Sequence, residues 1–265
     1  MAMPGYALIT GGGSGIGLAT ALLLAREGAY GIALADIEEV QLKGAIAEIE
    51  AVATNDEFQC IAILVDVRKA ESVAEMVKKT ADAFGRVDYA VNSAGIGYKK
   101  LGVETEALDW ERVMAVNLTG VFNSTKEEMR QMLKQEPIQK ARYLDAPAQR
   151  GAIVNVSSIA GHIGIQQSSA YVASKHGVVG LTRTFALENP QVKINAIAPG
   201  YIKTPMTSEP GEMSRNAREK VANWTALQRF GLPEEVAEAI LWLLSSRSNF
   251  VHGTSLAIDG GYLAH

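Results

Sequence analysis

The feature that most limits what this chain can fold into is a turn close to its start. A short aliphatic run, residues 6–10 (YALIT), passes directly into Gly11-Gly12-Gly13-Ser14-Gly15-Ile16-Gly17 and then into an Ala- and Leu-rich helical stretch. Strand, glycine turn and helix together let backbone approach an anion. Glycine accepts positive φ and close contact, and the free N–H groups of a helix start attract negative charge. The G-x-G-x-x-G spacing does not occur; the usable spacing is Gly11, Gly15 and Gly17. Taken alone, the same turn also suits a glycine-rich bend that holds nothing.

The alternation continues along the chain. Residues 6–10, 31–35, 61–65, 87–92, 152–156, 192–198 and 255–258 have strand character, and helical patterns occupy 16–27, 38–53, 70–84, 110–134, 171–188 and 233–245. Most of the strands lack the in–out alternation of a half-wet sheet, as expected when helices cover both faces. Pro233 followed by Glu234 and Glu235 marks a helix start, where the dipole favours acids. Repeated strand–helix units predict an α/β fold with a doubly wound, seven-stranded parallel sheet and helices on both faces. No linker divides the chain, so residues 1–265 are expected to form a single dinucleotide-binding and catalytic domain. The irregular stretch 135–150 is expected to be a surface insertion. The stretch 201–223, with Pro205, Pro210 and Gly211, has the character of a substrate lid. Met206 and Met213 either line that lid adaptably or pack it onto the body.

Composition enters by exclusion. Residues 1–25 carry no charge, but six glycines interrupt them and the longest apolar stretch, 18–25, is far short of the ~20 residues of a spanning helix. There is no basic segment ahead of it, so neither a leader nor an anchor is expected. A net charge of −4 without a basic cluster argues against nucleic-acid binding. Cys60 is the sole cysteine, which fits a reducing, cytoplasmic setting. The histidines share no metal-ligand spacing, so no metal is expected.

Asp36 ends the second strand, 19 residues beyond Gly17. An acid there can accept hydrogen bonds from an adenosine ribose. Its charge would repel a 2′-phosphate, the next residue, Ile37, is apolar, and the glycine loop holds no Arg or Lys. These features favour NAD over NADP. The competing role for Asp36 is that of a helix cap before Glu38.

Tyr171 and Lys175 stand four apart on one helix and so share a face. Ser157 and Ser158 follow the 152–156 strand, at the edge where open α/β sheets bind ligands. Asn117 is a polar residue in an apolar helical neighbourhood. With these residues in place, the chain resembles a short-chain dehydrogenase/reductase of the ~250-residue, single-domain Rossmann type. TGGGSGIG at 10–17 resembles that family's TGxxxGxG cofactor turn. Asp66-Val67 resembles the pair that meets the adenine ring, and Asn92-Ser93-Ala94-Gly95 resembles the NNAG element with Ser93 in place of the second Asn. Ser158, 13 residues before Tyr171, Asn117 and the YxxxK pair match the catalytic set. Pro199-Gly200 with Ile202 and Thr204 matches the segment that holds the nicotinamide carboxamide, and Asp259-Gly260-Gly261 resembles the usual ending. The resemblance implies cofactor contacts from Gly11, Gly13, Ser14, Gly15, Ile16, Gly17, Asp36, Ile37, Asp66, Val67, Asn92, Ala94, Gly95, Tyr171, Lys175, Pro199, Gly200, Ile202 and Thr204. It implies a catalytic set of Asn117, Ser158, Tyr171 and Lys175, with Asn117 positioning a water that relays protons from Lys175.

The chemistry sets its own demand. A free tyrosine titrates near 10, and lowering it by ~3 units requires ~4 kcal/mol. An exposed ion pair supplies only ~0–1 kcal/mol, so Lys175 has to act in a desolvated cleft beside a positive nicotinamide. Substrate-facing candidates are Ile159, His162, Ile163, Gly95, Ile96 and the loop after Pro199. Val178, Val179, Leu181 and the 240–244 run exceed what one sheet face needs, which argues for self-assembly, and the resemblance implies a homodimer or homotetramer. The expected activity is hydride transfer between NAD(H) and a secondary alcohol or ketone, with a small-molecule partner and no membrane. The alternative is a catalytically silent NAD-sensing binding protein on the same fold. Sugars, polyols, steroids, acyl thioesters and polyketide carbonyls all remain open as substrates.

Overall fold

In the computed structural model, residues 3–137, 147–208 and 212–264 are described. The strands are β1 Tyr6–Thr10, β2 Gly31–Asp36, β3 Gln59–Leu64, β4 Tyr89–Asn92, β5 Ala152–Val156, β6 Lys193–Pro199 and β7 Ser255–Ile258. The helices are α1 Gly15–Arg26, α2 Glu39–Val52, α3 Ala70–Phe84, α4 Ala107–Met114, α5 Gly120–Met132, α6 Ser169–Glu188, α7 Pro205–Ser208, α8 Glu212–Trp224 and α9 Pro233–Leu244. The sheet runs β3-β2-β1-β4-β5-β6-β7 with every pair parallel. Chain order reverses between β1 and β4, and such switch points open a crevice at the carboxyl ends of the strands.

The continuous apolar runs serve two interiors by alternation. Ala7 and Ile9 of β1 join one cluster with α1, α2 and α9, whereas Leu8 joins the other with α3, α5 and α6. Strands β4, β5 and β6 are buried throughout; β3, at the sheet edge, is partly exposed. Cys60 lies on β3, half-buried, and burial pushes its thiol up to about 12. At α9, Pro233 occupies the first turn, and the Glu235 carboxylate accepts from the Leu232 N–H at 2.8 Å and pairs with Arg229 at 2.7 Å. That pairing draws Glu235 down to about 2.

Three expectations change. The helix expected over 110–134 begins at Ala107 and widens into a π turn over Ala115–Thr119, which carries Asn117. The stretch expected as a lid over 201–223 contains two helices that the helical patterns did not include, α7 and α8; Pro210 and Gly211 and the side chain of Met213 lie outside the described residues. Most of the apolar residues expected to face a second subunit are internal: Val178, Val179, Ile240, Leu241, Leu243 and Leu244 are buried, while Leu181 and Trp242 are half-buried. Helices sandwiched between sheet and neighbouring helices consume more apolar surface than one sheet face requires.

Of the 135–150 stretch, residues 138–146 lie outside the described residues. Its ends are fastened to the body. The Gln135 amide accepts from the Val87 N–H at 2.8 Å and donates to the Val87 carbonyl at 2.9 Å, and Arg150 donates to the Gln135 carbonyl. Among the described residues no helix is long and apolar enough to cross a membrane.

Candidate active site

A cleft of about 560 Å³ opens at the carboxyl ends of the central strands, within the range of small-molecule and cofactor sites. One wall is the glycine turn. Gly11 holds φ +64°, and a Cβ on it would lie 2.7 Å from the Ala94 nitrogen, so β1 and β4 meet there through bare backbone. A Cβ on Gly17 would overlap the Gly11 carbonyl, which makes Gly17 a packing position behind the turn. The first turn of α1 contains no acid, and Ser14 makes no side-chain cap. Its N–H groups are therefore left for an anion. Gly11, Ser14, Gly15 and Ile16 line the cleft; Gly13 does not, and instead donates its N–H to Asp36 Oδ2 at 3.0 Å.

The Asp36 carboxylate also accepts from the Ile37 and Glu38 N–H groups at 2.7 and 3.2 Å, yet it still lines the cleft with Ile37. The cap of α2 is Glu38, so Asp36 orders the turn ahead of that helix rather than capping it, and remains a cleft acid. Asp66 and Val67 line the same end. Arg68 grips Asp66 through two bonds of 2.8 Å and holds its carboxyl below the usual carboxylate range. The backbone cradle, the uncapped helix start and the acid at the far end of the cleft fit a dinucleotide.

The opposite wall comes from β5 and α6. Ser158 follows β5, accepts from the Ala160 N–H at 3.1 Å and pairs with the Tyr171 side chain. Lys175 is buried. Its Nζ donates to the Val156 carbonyl at 2.9 Å and lies 5.7 Å from the centre of the Tyr171 ring. Burial pulls Lys175 down to about 8, whereas it pushes Tyr171 up against the opposing bond from Ser158. Burial thus disfavours the charged form of both groups. Ser157 is placed behind the reacting pair: its hydroxyl donates to the Lys175 carbonyl at 3.0 Å and ties β5 to α6.

Asn117 and Asn92 sit behind the cleft rather than on it. Asn117 is fully buried, accepting from the Ile96 N–H at 2.8 Å and donating to the Ile96 carbonyl at 3.0 Å and to Ser174 at 3.4 Å. Both of its amide hydrogens are thereby used. It backs Gly95, where a Cβ would come 3.4 Å from Asn117 Oδ1 and 3.7 Å from Lys175 Nζ. Asn92 turns into the interior and donates to Glu128 at 2.9 Å and to Asn155 at 3.0 Å. Thr125 donates to Asn155 Oδ1 at 3.2 Å, and Asn155 donates to Thr182 at 3.0 Å. Glu128 is wholly buried in this group, and burial pushes it up to about 8, so it is neutral at pH 7. Ala94 and Gly95 line the cleft, and Ser93, which stands where the family has a second Asn, lines it too.

Of the substrate-facing candidates, Ile159, Gly95, Ile96 and the Gly200–Ile202 loop line the cleft. His162 instead pairs with Ser255 at 2.8 Å, and neither it nor Ile163 lines the cleft. Pro199, Gly200, Ile202, Thr204 and Met206 do so, and the Thr204 side chain faces Gly15 across the opening. Residues not singled out from the sequence also line it: Tyr98, Lys99, Arg112, Gln166 and, within the expected lid, Lys220. Tyr98 and Lys99 directly follow the Asn92–Gly97 segment, a position that could have flagged them. Lys220 gave no such signal, because the helix that carries it was not expected.

A family model described as enoyl-(acyl carrier protein) reductase matches residues 11–263. The 3-oxoacyl-(acyl-carrier-protein) reductase FabG of Thermotoga maritima is 41% identical over 257 residues, covering 96% of each chain. The cyclohexanol dehydrogenase of an Acinetobacter species is 38% identical over 259 residues, covering 97% of this chain and 94% of that one. The crystal structure of levodione reductase superimposes with a TM-score of 0.86 at 35% identity, covering 98% and 97% of the two chains.

Proposed function

The chain belongs to the short-chain dehydrogenase/reductase family of oxidoreductases, and we propose that it interconverts a secondary alcohol and its ketone with NAD(H). Residues 1–265 act in this reading as a single dinucleotide-binding and catalytic domain with a lid over 201–223. The observation that carries it is convergence. The Ser158–Tyr171 pair and buried Lys175 face the same cleft as the uncapped glycine turn and Asp36.

A nicotinamide held by Tyr171, Lys175 and the Pro199–Thr204 segment, all of which border the cleft, would supply the hydride chemistry. The Tyr171 hydroxyl exchanges the proton at the substrate oxygen. Ser158 donates a hydrogen bond to that oxygen as charge develops on it. Lys175 lowers the cost of ionising Tyr171 from a position where water cannot screen its charge. Asn117 is a positioning residue: by holding both backbone groups of Ile96 it fixes Gly95 against Lys175 Nζ. In Tyr171→Phe, hydride transfer followed by nicotinamide absorbance is expected to fall by roughly 10²–10⁴-fold while NAD binding by calorimetry survives. Turnover near the wild-type level in Tyr171→Phe would end this mechanism.

The proposed preference for NAD is supported by Asp36, whose carboxylate lines the cleft and would repel a 2′-phosphate. Arg68 lines that end, but its guanidinium is engaged by Asp66. Asp36→Ala combined with Ile37→Arg is expected to move kcat/KM toward NADP. An unchanged cofactor ratio would count against Asp36 as the discriminating group. The lone Cys60 supports a reducing, cytoplasmic setting. A homodimer or homotetramer is supported by Phe122 of α5, which packs on Phe185 of α6 yet stays 41% exposed. Sedimentation showing only monomer would refute that assembly.

A further inference from the structure

The cleft carries positive charge that neither the dinucleotide cradle nor the reacting residues use. Lys99 lies in the loop after β4 and Lys220 on α8 of the lid, so the two come from separate elements, and both line the opening. They sit at the Tyr171 end. The adjoining Lys100 N–H donates to the Gln167 carbonyl at 2.7 Å and Lys100 bridges to Ser168, just ahead of the helix that bears Tyr171. Gln166 of the same segment also lines the cleft.

Two carboxylates near Lys99 are already engaged. Glu106 pairs with Lys100 at 3.3 Å, and Asp109 meets Arg112 and the Tyr98 hydroxyl, each at 3.4 Å. Among the described side chains, neither Lys99 nor Lys220 has an ion-pair partner. Lys220 is lowered first by burial and then by the charge of Lys99, which places the two cations within reach of one another. Two like charges facing one another across a partly desolvated opening repel, and an anion placed between them removes the penalty.

We propose that the substrate carries an anionic group, a carboxylate or phosphate, which is held between Lys99 and Lys220 while its carbinol or carbonyl carbon reaches Tyr171. This rests on the oxidoreductase reading above and narrows its substrate to hydroxy or keto acids and their phosphate counterparts. Because Lys220 belongs to the lid, the same anion draws α8 toward the loop after β4. Substrate charge and lid closure are therefore coupled, with the energy of the contact used to position the carbinol.

The test compares matched substrates. NAD-linked oxidation of 3-hydroxybutanoate, its methyl ester and 3-hydroxybutyl phosphate is measured together with longer hydroxy acids. One of the anions is expected to exceed the neutral ester in kcat/KM by at least about tenfold at low salt, the advantage shrinking as ionic strength rises. The comparison between carboxylate and phosphate identifies which anion the site takes. In K99Q and K220Q the anion-to-ester ratio is expected to fall toward one, a readout that is internal to each variant. Calorimetry of glutarate and inorganic phosphate on the enzyme–NAD complex gives a measure independent of turnover, with binding lost in both variants. An ester turned over as well as every anion, or a ratio unchanged in both variants, overturns the proposal while leaving the oxidoreductase reading intact. Glutarate or phosphate binding that K99Q and K220Q abolish, with no alcohol oxidised, sinks the oxidoreductase reading and upholds the anion site.

Discussion

Under β1 and β2 the interior is almost wholly apolar, with Leu8, Ile9, Ile32 and Leu34 fully buried. Under β4, β5 and β6 it is not. There Asn92, Asn155, Asn195, Lys193, Thr182 and Glu128 are buried at the same depth. The first half carries the glycine turn and the second carries Ser158 and, through α6, Tyr171 and Lys175. Dispersion and hydrophobic burial have no direction, so an apolar layer fixes the distance between elements more firmly than their register. Hydrogen bonds specify both distance and angle. In the turn half, register comes from close backbone contact at Gly11 and Gly17. In the catalytic half it comes from side-chain bonds that tie β4 to β5 and α5, and β5 to α6. Lys193 extends the scheme, its Nζ donating to the Ser245 carbonyl at 2.6 Å and the Ser248 hydroxyl at 2.9 Å beyond α9.

The contrast can be broken on either side. The largest loss of stability is expected from Asn155→Leu, which keeps volume but removes the acceptor of Asn92 and Thr125 and the donor to Thr182. About 3–5 kcal/mol should be lost in urea unfolding, because each buried group left unpaired costs about 1–3 kcal/mol. Gly17→Ala comes next: overlap with the Gly11 carbonyl should cost about 1–3 kcal/mol and weaken NAD binding more than it slows turnover at saturating NAD. Ile32→Val, in the apolar half, should cost only about 0.5–1.5 kcal/mol and leave both kinetic constants close to normal. If Ile32→Val disturbed catalysis as much as Asn155→Leu does, the distinction between the halves would fail.

A pH series sharpens the same comparison. Glu128 is raised in the folded protein from 4.5 to about 8, so its neutral form contributes stability below pH 4.5 that is lost as pH rises through 8. Lys175 and Lys193 are lowered from 10.5 to about 8; their neutral forms contribute above pH 10.5, and that contribution is lost as pH falls through 8. Glu128→Gln replaces the neutral acid by a neutral amide of the same shape. Wild type and variant should unfold alike near pH 4, and by pH 9 the variant should be more stable by up to about 4 kcal/mol. A difference that stayed constant with pH would show that Glu128 carries no titration penalty in the fold.

Much of the cleft was legible in the sequence because its signals are local. Gly11 to Gly17 follow a strand directly, Asp36 ends the next one, Ser158 follows β5, and Tyr171 and Lys175 are one helical turn apart. What was hidden depends on contacts between distant segments. Glu128, beside Lys126 and Glu127, looks like part of a solvated helix face, and only its bond to Asn92 reveals it as interior. The helix α8 was obscured because its apolar stripe, Ala217, Val221 and Trp224, is thin within a charged stretch. Asn117 was visible as an oddity, but its attachment to Ile96 was not, since the two lie on different elements.

The Asn92–Asn155–Thr182 chain has a consequence for descent as well as for stability. A packing position such as Ile32 can drift one methyl group at a time, each step nearly neutral. A directional chain offers fewer such steps, because each replacement removes a donor or acceptor that its neighbours use. Changes at Asn92, Thr125, Glu128, Asn155 and Thr182 should therefore enter lineages together or not at all. The strands that carry the reacting side chains are thus held, over evolutionary time, by a coupled vocabulary of polar residues, while the nucleotide half is free to vary in composition around its glycines.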